Sequence, residues 1–338
     1  MSNGCWMTDG RQMKAAEFQR WLAKLATLTA HQRESVEQQL RCGDPRRATE
    51  RLIAQLSGPV ERCPHCGHAE VGPWGSSGGL ERYRCKGCSK TFNALTGTPL
   101  ARLRHREQWQ TFMLALIEGQ SVRQAAERCG VDKNTAFLWR HRFLRLPAEQ
   151  KAKRESGIVE ADETYFLESF KGSRQLPRAP RKRGGKAAKR GLSAEQIPVL
   201  IARDRVGETV DFVLPKADKK HIGAVLKPLL AEDAILCTDG GGSGVYAAVA
   251  REHKLTHRFV NVRAGIKVVG KVYHVQNVNA YASRLKGWMR RFHGVATKYL
   301  PNYLGWRRML ERSGGAISPP LCIALSLGRA RPQQFIQT

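Results

Sequence analysis

The chain has 338 residues, 41% of them hydrophobic and 25% charged, a composition that builds a buried core and excludes intrinsic disorder. Lys and Arg number 57 against 29 Asp and Glu, so the net charge is +28 and the pI near 10.3, as expected of a protein that binds a polyanion. No apolar run approaches bilayer length and the first 22 residues lack the apolar centre of a secretory signal, which excludes a membrane and points to the cytoplasm.

Residues 1–58 read as a helical arm: Phe18, Leu22, Leu25 and Leu28 fall at steps of three or four, Leu40, Leu52 and Leu56 follow, and Pro59 ends the pattern. No function follows from it. Residues 59–98 are rich in Gly, Cys and Pro and hold two C-x-x-C turns, Cys63-Pro-His-Cys66 and Cys85-Lys-Gly-Cys88. Each turn lets two thiolates converge on one cation, and two turns close a tetrahedron, which predicts a zinc ribbon around one structural Zn²⁺. A redox dithiol pair is the weaker reading, and His65 and His68 are bystanders beside four thiolates. The other cysteines (Cys5, Cys42, Cys129, Cys237, Cys322) are scattered and taken as reduced, with no role.

Residues 99–147 predict a helix-turn-helix. Ser121 and Gln124 have capping-box spacing, Gly130 ends the first helix, and Asp132 caps the second. That second helix opens on Lys133, Asn134 and Thr135 and closes on Arg140, His141 and Arg142, groups suited to base edges and phosphates. A plain helical hairpin has the same pattern, but its place behind a zinc ribbon in a very basic chain favours DNA.

Beyond a break at Pro147–Gly157, residues 155–310 alternate strand-like and helix-like segments. Strands are expected at 158–166, 197–202, 209–214 and 234–238, and helices at 219–230, 246–253 and 278–292, a mixed α/β core. A basic loop without acids, 171–190, interrupts it; Arg181-Lys-Arg and Lys189-Arg there are expected to order only on DNA. Residues 311–338 read as a C-terminal tail.

Asp162 stands in an apolar strand between Glu160 and Glu163; Glu160 and Asp162 share a face and Glu163 points the other way. Asp239 ends a second such strand before Gly240-Gly-Gly. Carboxylates in apolar strands are costly unless paired or bound to metal, and two at neighbouring strand positions would suit Mg²⁺. For either Asp alone, a turn or an ion pair is the plainer reading.

The order of zinc ribbon, helix-turn-helix, Val159-Glu-Ala-Asp-Glu-Thr-Tyr, Leu236-Cys-Thr-Asp-Gly and His274-Val-Gln-Asn-Val-Asn-Ala-Tyr-Ala-Ser-Arg-Leu-Lys resembles the insertion-sequence 1595 family of bacterial DDE transposases, from about Cys63 to Trp306. The resemblance implies a ribonuclease-H-like (retroviral-integrase-like) core and a DNA transposase that binds the terminal repeats of its element. It implies Mg-dependent strand cleavage and strand transfer without a covalent intermediate, as a homo-oligomer on double-stranded DNA, in the bacterial cytoplasm at the nucleoid. It makes Asp162 and Asp239 the first two acids for one or, more fully, two Mg²⁺ ions, which Mn²⁺ can replace. The third position falls on Asn279, where most such enzymes have Glu, and Lys286 and Lys298 fall near donor phosphates. Read from the residues alone, Asn279 or Asn277 is a helix cap and Lys298 a solvated lysine.

From His253 to Thr338, fifteen Lys and Arg face one acid, Glu311, and Arg290 and Arg291 follow Lys286 on one expected helix. Trp288, Trp306 and Tyr303 are expected in the core rather than as base-stacking platforms. The rival to a transposase is a decayed copy or a non-catalytic DNA-binding regulator, whose support is Asn279. A nuclease on the same fold is narrower still.

Overall fold

The computed structural model describes residues 14–29, 45–182, 184–188, 193–239 and 244–329. In the arm, Ala15–Leu25 (α1) is helical with no buried residue, whereas Pro45–Ser57 (α2) sinks Ile53 and Thr49 completely. Leu40 and Gly240–Gly242 lie outside the described residues, as do Cys5 and Cys42.

Val71–Ser77 (β1), Leu80–Cys85 (β2) and Thr91–Asn93 (β3) form an antiparallel meander. Gly78 and Gly79 join β1 to β2 at φ 56° and 77°, backbone that a side chain resists. Three helices follow, Trp109–Ile117 (α3), Val122–Cys129 (α4) and Lys133–Phe143 (α5), with a short Arg145–Glu149 (α6) behind them. The expected caps are present. Ser121 and Gln124 bond reciprocally, Gly130 turns left-handed at φ 62°, and Asp132 accepts the Asn134 N–H at 2.7 Å.

The strands of the α/β core are Ile158–Leu167 (β4), Gln196–Asp204 (β5), Thr209–Val213 (β6), Ile235–Asp239 (β7) and Thr256–Val260 (β8). They lie in the order β6-β5-β4-β7-β8, antiparallel from β6 to β4 and parallel from β4 to β8. One face, with Val159, Ala161 and Leu236, is covered by Lys219–Leu229 (α7) and Val245–Glu252 (α8). The other face, with Val199 and Ile201, meets Gln276–Met289 (α9), Leu300–Arg312 (α10) and Pro319–Ser326 (α11). This is the mixed, two-sided sheet expected of a ribonuclease-H-like core, behind a cysteine-rich sheet and a helix-turn-helix.

Two features depart from the sequence reading. The helix-turn-helix does not stand apart: one apolar cluster runs from Trp109, Trp139 and Phe143 through Leu285 and Trp306 to Leu325, with Trp288 and Tyr303 in it as expected. The supposed tail contains α11, in which Leu321 to Ser326 are all buried. Apolar all round and short, it shows no periodicity that a sequence pattern could reveal.

Glu155 is a buried acid whose two side-chain oxygens have no hydrogen-bond partner. Burial, then Asp204 and Glu208, push its pKa up to about 8 from an ordinary 4.5. A folded pKa above the unfolded one means stability that is complete below pH 4.5 and is lost as pH rises through 8. Glu155→Gln should therefore flatten the alkaline fall of thermal stability by a few kcal/mol, because each tenfold change in proton affinity is worth about 1.4 kcal/mol. Identical pH–stability curves for the two proteins would rule this out.

Candidate active site and metal centre

The four cysteines of the two turns come together at one point: their sulfurs all lie within 4.8 Å of one another. Cys63 and Cys88 sulfurs are 3.7 Å apart and Cys66 and Cys85 3.6 Å. A tetrahedron of Zn–S bonds of about 2.3 Å has edges of about 3.8 Å, so the spacing fits zinc. Backbone N–H groups of His65 and Cys88 point at the Cys63 and Cys85 sulfurs at 3.4 Å, as thiolates in such turns require. Phe92 and Tyr83 make up the small apolar floor.

In the core, the register of parallel strands β4 and β7 pairs Ala161 with Thr238, so Asp162, in the middle of β4, and Asp239, at the end of β7, are next in line. They are side by side on neighbouring strands, about 4.8 Å apart in backbone. Burial raises the Asp162 pKa to about 7, with Asp239 and then Glu163 adding to it and Lys286 opposing. A carboxylate held back from charge by a second one beside it is the kind of pair that could offer oxygens to a divalent cation. Glu163, on the opposite strand face as expected, is close enough to feel Asp239; burial is the main cause of its raised pKa, and the Tyr246 hydroxyl opposes it.

Glu160 has a different task, which no sequence pattern disclosed. It is fully buried, and its Oε2 accepts the backbone N–H groups of Asn277 at 2.8 Å and Val278 at 3.0 Å. Its Oε1 pairs with Arg205 at 2.8 Å and with His274 at 3.3 Å. A carboxylate beneath two free N–H groups caps α9 from across the sheet and complements the helix dipole. Neither Asn277 nor Asn279 caps the helix: the Asn279 N–H already bonds the Val275 carbonyl at 3.2 Å, inside the first turn. Asn279 thus stands exposed one residue beyond the clamp, and Lys286, two turns on, is near enough for its charge to act on Asp162. Glu311, the one late acid, is held by Arg284, Arg307 and Arg203 at 2.5, 2.5 and 3.9 Å and does not join them.

Of the expected DNA contacts on α5, Lys133 and Asn134 are exposed and Thr135 half-buried. Arg140 is a correction. It is fully buried, donates to the Gln120 carbonyl at 2.7 Å, and lies 5.1 Å from the Trp306 ring and 5.8 Å from Phe292. Arg142 is likewise turned inward, onto the carbonyls of Pro99 and Ala101. Arg140 falls on the inner stripe of α5 with Ala136, Trp139 and Phe143, whereas Arg142 flanks that stripe and is half-buried. Arg140→Ala should cost about 2–4 kcal/mol through lost cation–π contact and an unpaired Gln120 carbonyl, seen as a lower melting temperature. Lys133→Ala should leave melting unchanged and reduce the salt slope of DNA binding by about one. The opposite pattern would restore Arg140 to the DNA surface.

Arg290 is exposed, whereas Arg291 reaches back to the Glu118 carbonyl at 3.1 Å. Lys298 is exposed beside the Tyr299 ring at 5.0 Å. The basic loop, expected to order only on DNA, is fastened where described: Arg181 bonds the Glu168 carbonyl and Glu195 at 2.6 Å each. Those acids lie outside the loop, so its own composition did not reveal them. Arg183, Lys189 and Arg190 lie outside the described residues.

Among the described residues, no helix is long and apolar enough to cross a membrane. Residues 155–307 match the ISXO2-like transposase domain, the insertion-sequence 1595 type of DDE domain, and residues 102–150 a homeodomain-like domain. A protein in transposable element ISH50 of Halobacterium salinarum, an archaeon, is 30% identical over 246 residues, 72% of this chain and 82% of that protein. The resemblance seen in the motifs holds over residues 102–150 and 155–307. With a four-cysteine site, a DNA-binding homeodomain-like segment and a DDE domain in that order, this chain belongs to the ISXO2-like transposase family.

Proposed function

We propose that this protein is an active transposase that binds the terminal repeats of its own element and catalyses their cleavage and joining to target DNA. The observation that carries this reading is the pair Asp162 and Asp239 at adjacent positions of the parallel strands β4 and β7, with the Lys286 charge acting on Asp162. In the proposal, Asp162, Asp239 and Asn279 hold one or two Mg²⁺ ions, for which Mn²⁺ substitutes. Bound there, the metal supplies Lewis acidity toward the scissile phosphate and lowers the pKa of the attacking hydroxyl. The chain's own residues position and neutralise. Asp162 and Asp239 give the site two negative charges, and Asn279 adds a neutral carbonyl oxygen where Glu would add a third. Lys286 and Arg290 receive DNA phosphates, and Glu160 keeps α9, and so Asn279 and Lys286, in register with the acids.

The division of labour is part of the proposal: residues 59–98 hold one Zn²⁺, residues 99–147 read the terminal repeat through Lys133, Asn134 and Thr135, and residues 155–310 perform the chemistry. Paired ends call for a homo-oligomer. One observation favours a second reading, a decayed copy or a DNA-binding regulator: Asn279 leaves the site without a third acid. A strand-cleavage and joining assay separates the two, using labelled DNA with the element's ends and Mg²⁺ or Mn²⁺. Metal-dependent products from the unaltered protein support the active enzyme. Tight binding without products, restored by Asn279→Glu, supports decay.

A further inference from the structure

A cleft of about 850 Å³ opens beside the acid pair, and the chemistry proposed above leaves it without an occupant. Its first wall is the end of β4 and the start of the basic loop, with Phe166, Phe170 and Leu176; its second is the end of α9, with Lys286 and Arg290. It begins three residues along β4 from Asp162, at Tyr165, and two turns along α9 from Asn279, at Lys286. The Lys286 charge acts on Asp162, and burial, with Glu163 and Asp162, pushes the Tyr165 pKa up to about 12.

The walls are braced against each other. Thr297 N–H donates to the Ser169 carbonyl and Ser169 N–H to Thr297 Oγ1, both at 2.8 Å. Lys171 Nζ donates to the Gly294 carbonyl at 2.9 Å. The volume is within the range that encloses a small organic molecule, roughly 300–1,000 Å³.

Two chemistries meet in this cleft. Lys286, Arg290 and Arg178 make a cationic rim, and the one acid in the lining, Glu168, is answered by Arg178 at 4.0 Å. Phe166, Phe170 and Leu176 give an apolar interior, and the Arg178 guanidinium sits 5.5 Å from the Phe170 ring centre. Duplex DNA shows a protein its phosphates and groove edges while its base faces stay stacked inside, so a duplex alone would need the rim and not the interior. Apolar and aromatic walls behind a row of cations suit nucleotides that have left the stack. An acidic peptide would use the rim but not the ring faces, and a free anion would use neither the volume nor the apolar walls.

We propose that this cleft takes one or two unpaired nucleotides of the DNA end that adjoin the reacting phosphate, bases against Phe166, Phe170 and Leu176 and phosphates on Lys286 and Arg290. The proposal rests on the transposase reading of the acid pair and adds to it a site for single-stranded DNA. Fraying the end would then be part of substrate binding, with stacking in the cleft offsetting the lost base pairs.

The test uses the full-length zinc-bound protein carrying Asp162→Ala, so that no DNA is cut. Binding is measured by fluorescence anisotropy on a short duplex with flush ends and on the same duplex with an unpaired 3′ overhang. The overhang should tighten binding about tenfold, the scale of one base stacked on an aromatic ring. Phe170→Ala and, as a change at an exposed residue that leaves the fold alone, Leu176→Ser should each erase most of that preference and keep flush-duplex affinity. Equal affinity for both DNAs, or a preference that survives both changes, overturns the cleft assignment and leaves the transposase reading standing. Failure to bind either duplex overturns the transposase reading as well.

Discussion

Asp162→Ala is expected to reduce strand cleavage and joining on the order of a thousandfold or more, since it removes one half of the donor pair on which the proposed metals depend. DNA binding should change little, because Lys133, Asn134 and Arg290 lie on exposed surfaces that do not touch Asp162. The melting temperature of the metal-free protein should hold or rise. Burial and the neighbouring Asp239 and Glu163 oppose charge on Asp162, so removing it relieves repulsion instead of breaking a contact. This combination separates a chemical role from a structural one. Cleavage retained at near-normal rate would reject the site, and a large fall in melting temperature would mean that the carboxylate supports the fold.

Removing the zinc should have the second large effect. The ribbon buries little of its own: its apolar cluster is Cys63, Cys85 and Phe92 with Val60, Val71, Tyr83 and Cys88 packed against it. Such a segment takes its folding energy from the metal, about 10–16 kcal/mol in comparable sites. Chelation, or Cys85→Ser, should unfold residues 59–98 as a unit and abolish end-specific binding, while the α/β core keeps its own transition. Elemental analysis should find one zinc per chain in the unaltered protein. A ribbon that keeps its hydrogen-exchange protection without metal would refute the assignment. Cys129, Cys237 and Cys322 are buried apart from the cluster and should not contribute to the count.

What could be read from the residues alone was whatever neighbours in the chain decide. Two C-x-x-C turns, the Ser121–Gln124 box, Gly130 and Asp132 each act over a few residues, and each appears where its spacing requires. Four of the five core strands follow from apolar runs of strand length, and α7, α8 and α9 from helical spacing, with ends differing by one to three residues; β8, with exposed Thr256 and Arg258, was not expected. The acids of β4 and β7 were conspicuous because a carboxylate inside an apolar strand needs a reason.

Partnership across the chain was decided only by tertiary packing. Glu160 and Asp162 look equivalent in the strand, two residues apart on one face. Glu160 lies beneath the N–H groups of Asn277 and Val278 and becomes a helix anchor, while Asp162, in the middle of β4, lies beside Asp239 at the end of β7. Arg140 looked like a phosphate ligand until Trp306 and Phe292, far along the chain, enclosed it. The basic loop looked unpartnered because Glu195 lies outside it. The sequence therefore determined the metal turns, the helix caps and the candidate acids, whose energies are local. Only the folded chain decided which charges are neutralised and which stay exposed to DNA, because a charge's environment is set by whatever is brought within a few ångströms of it.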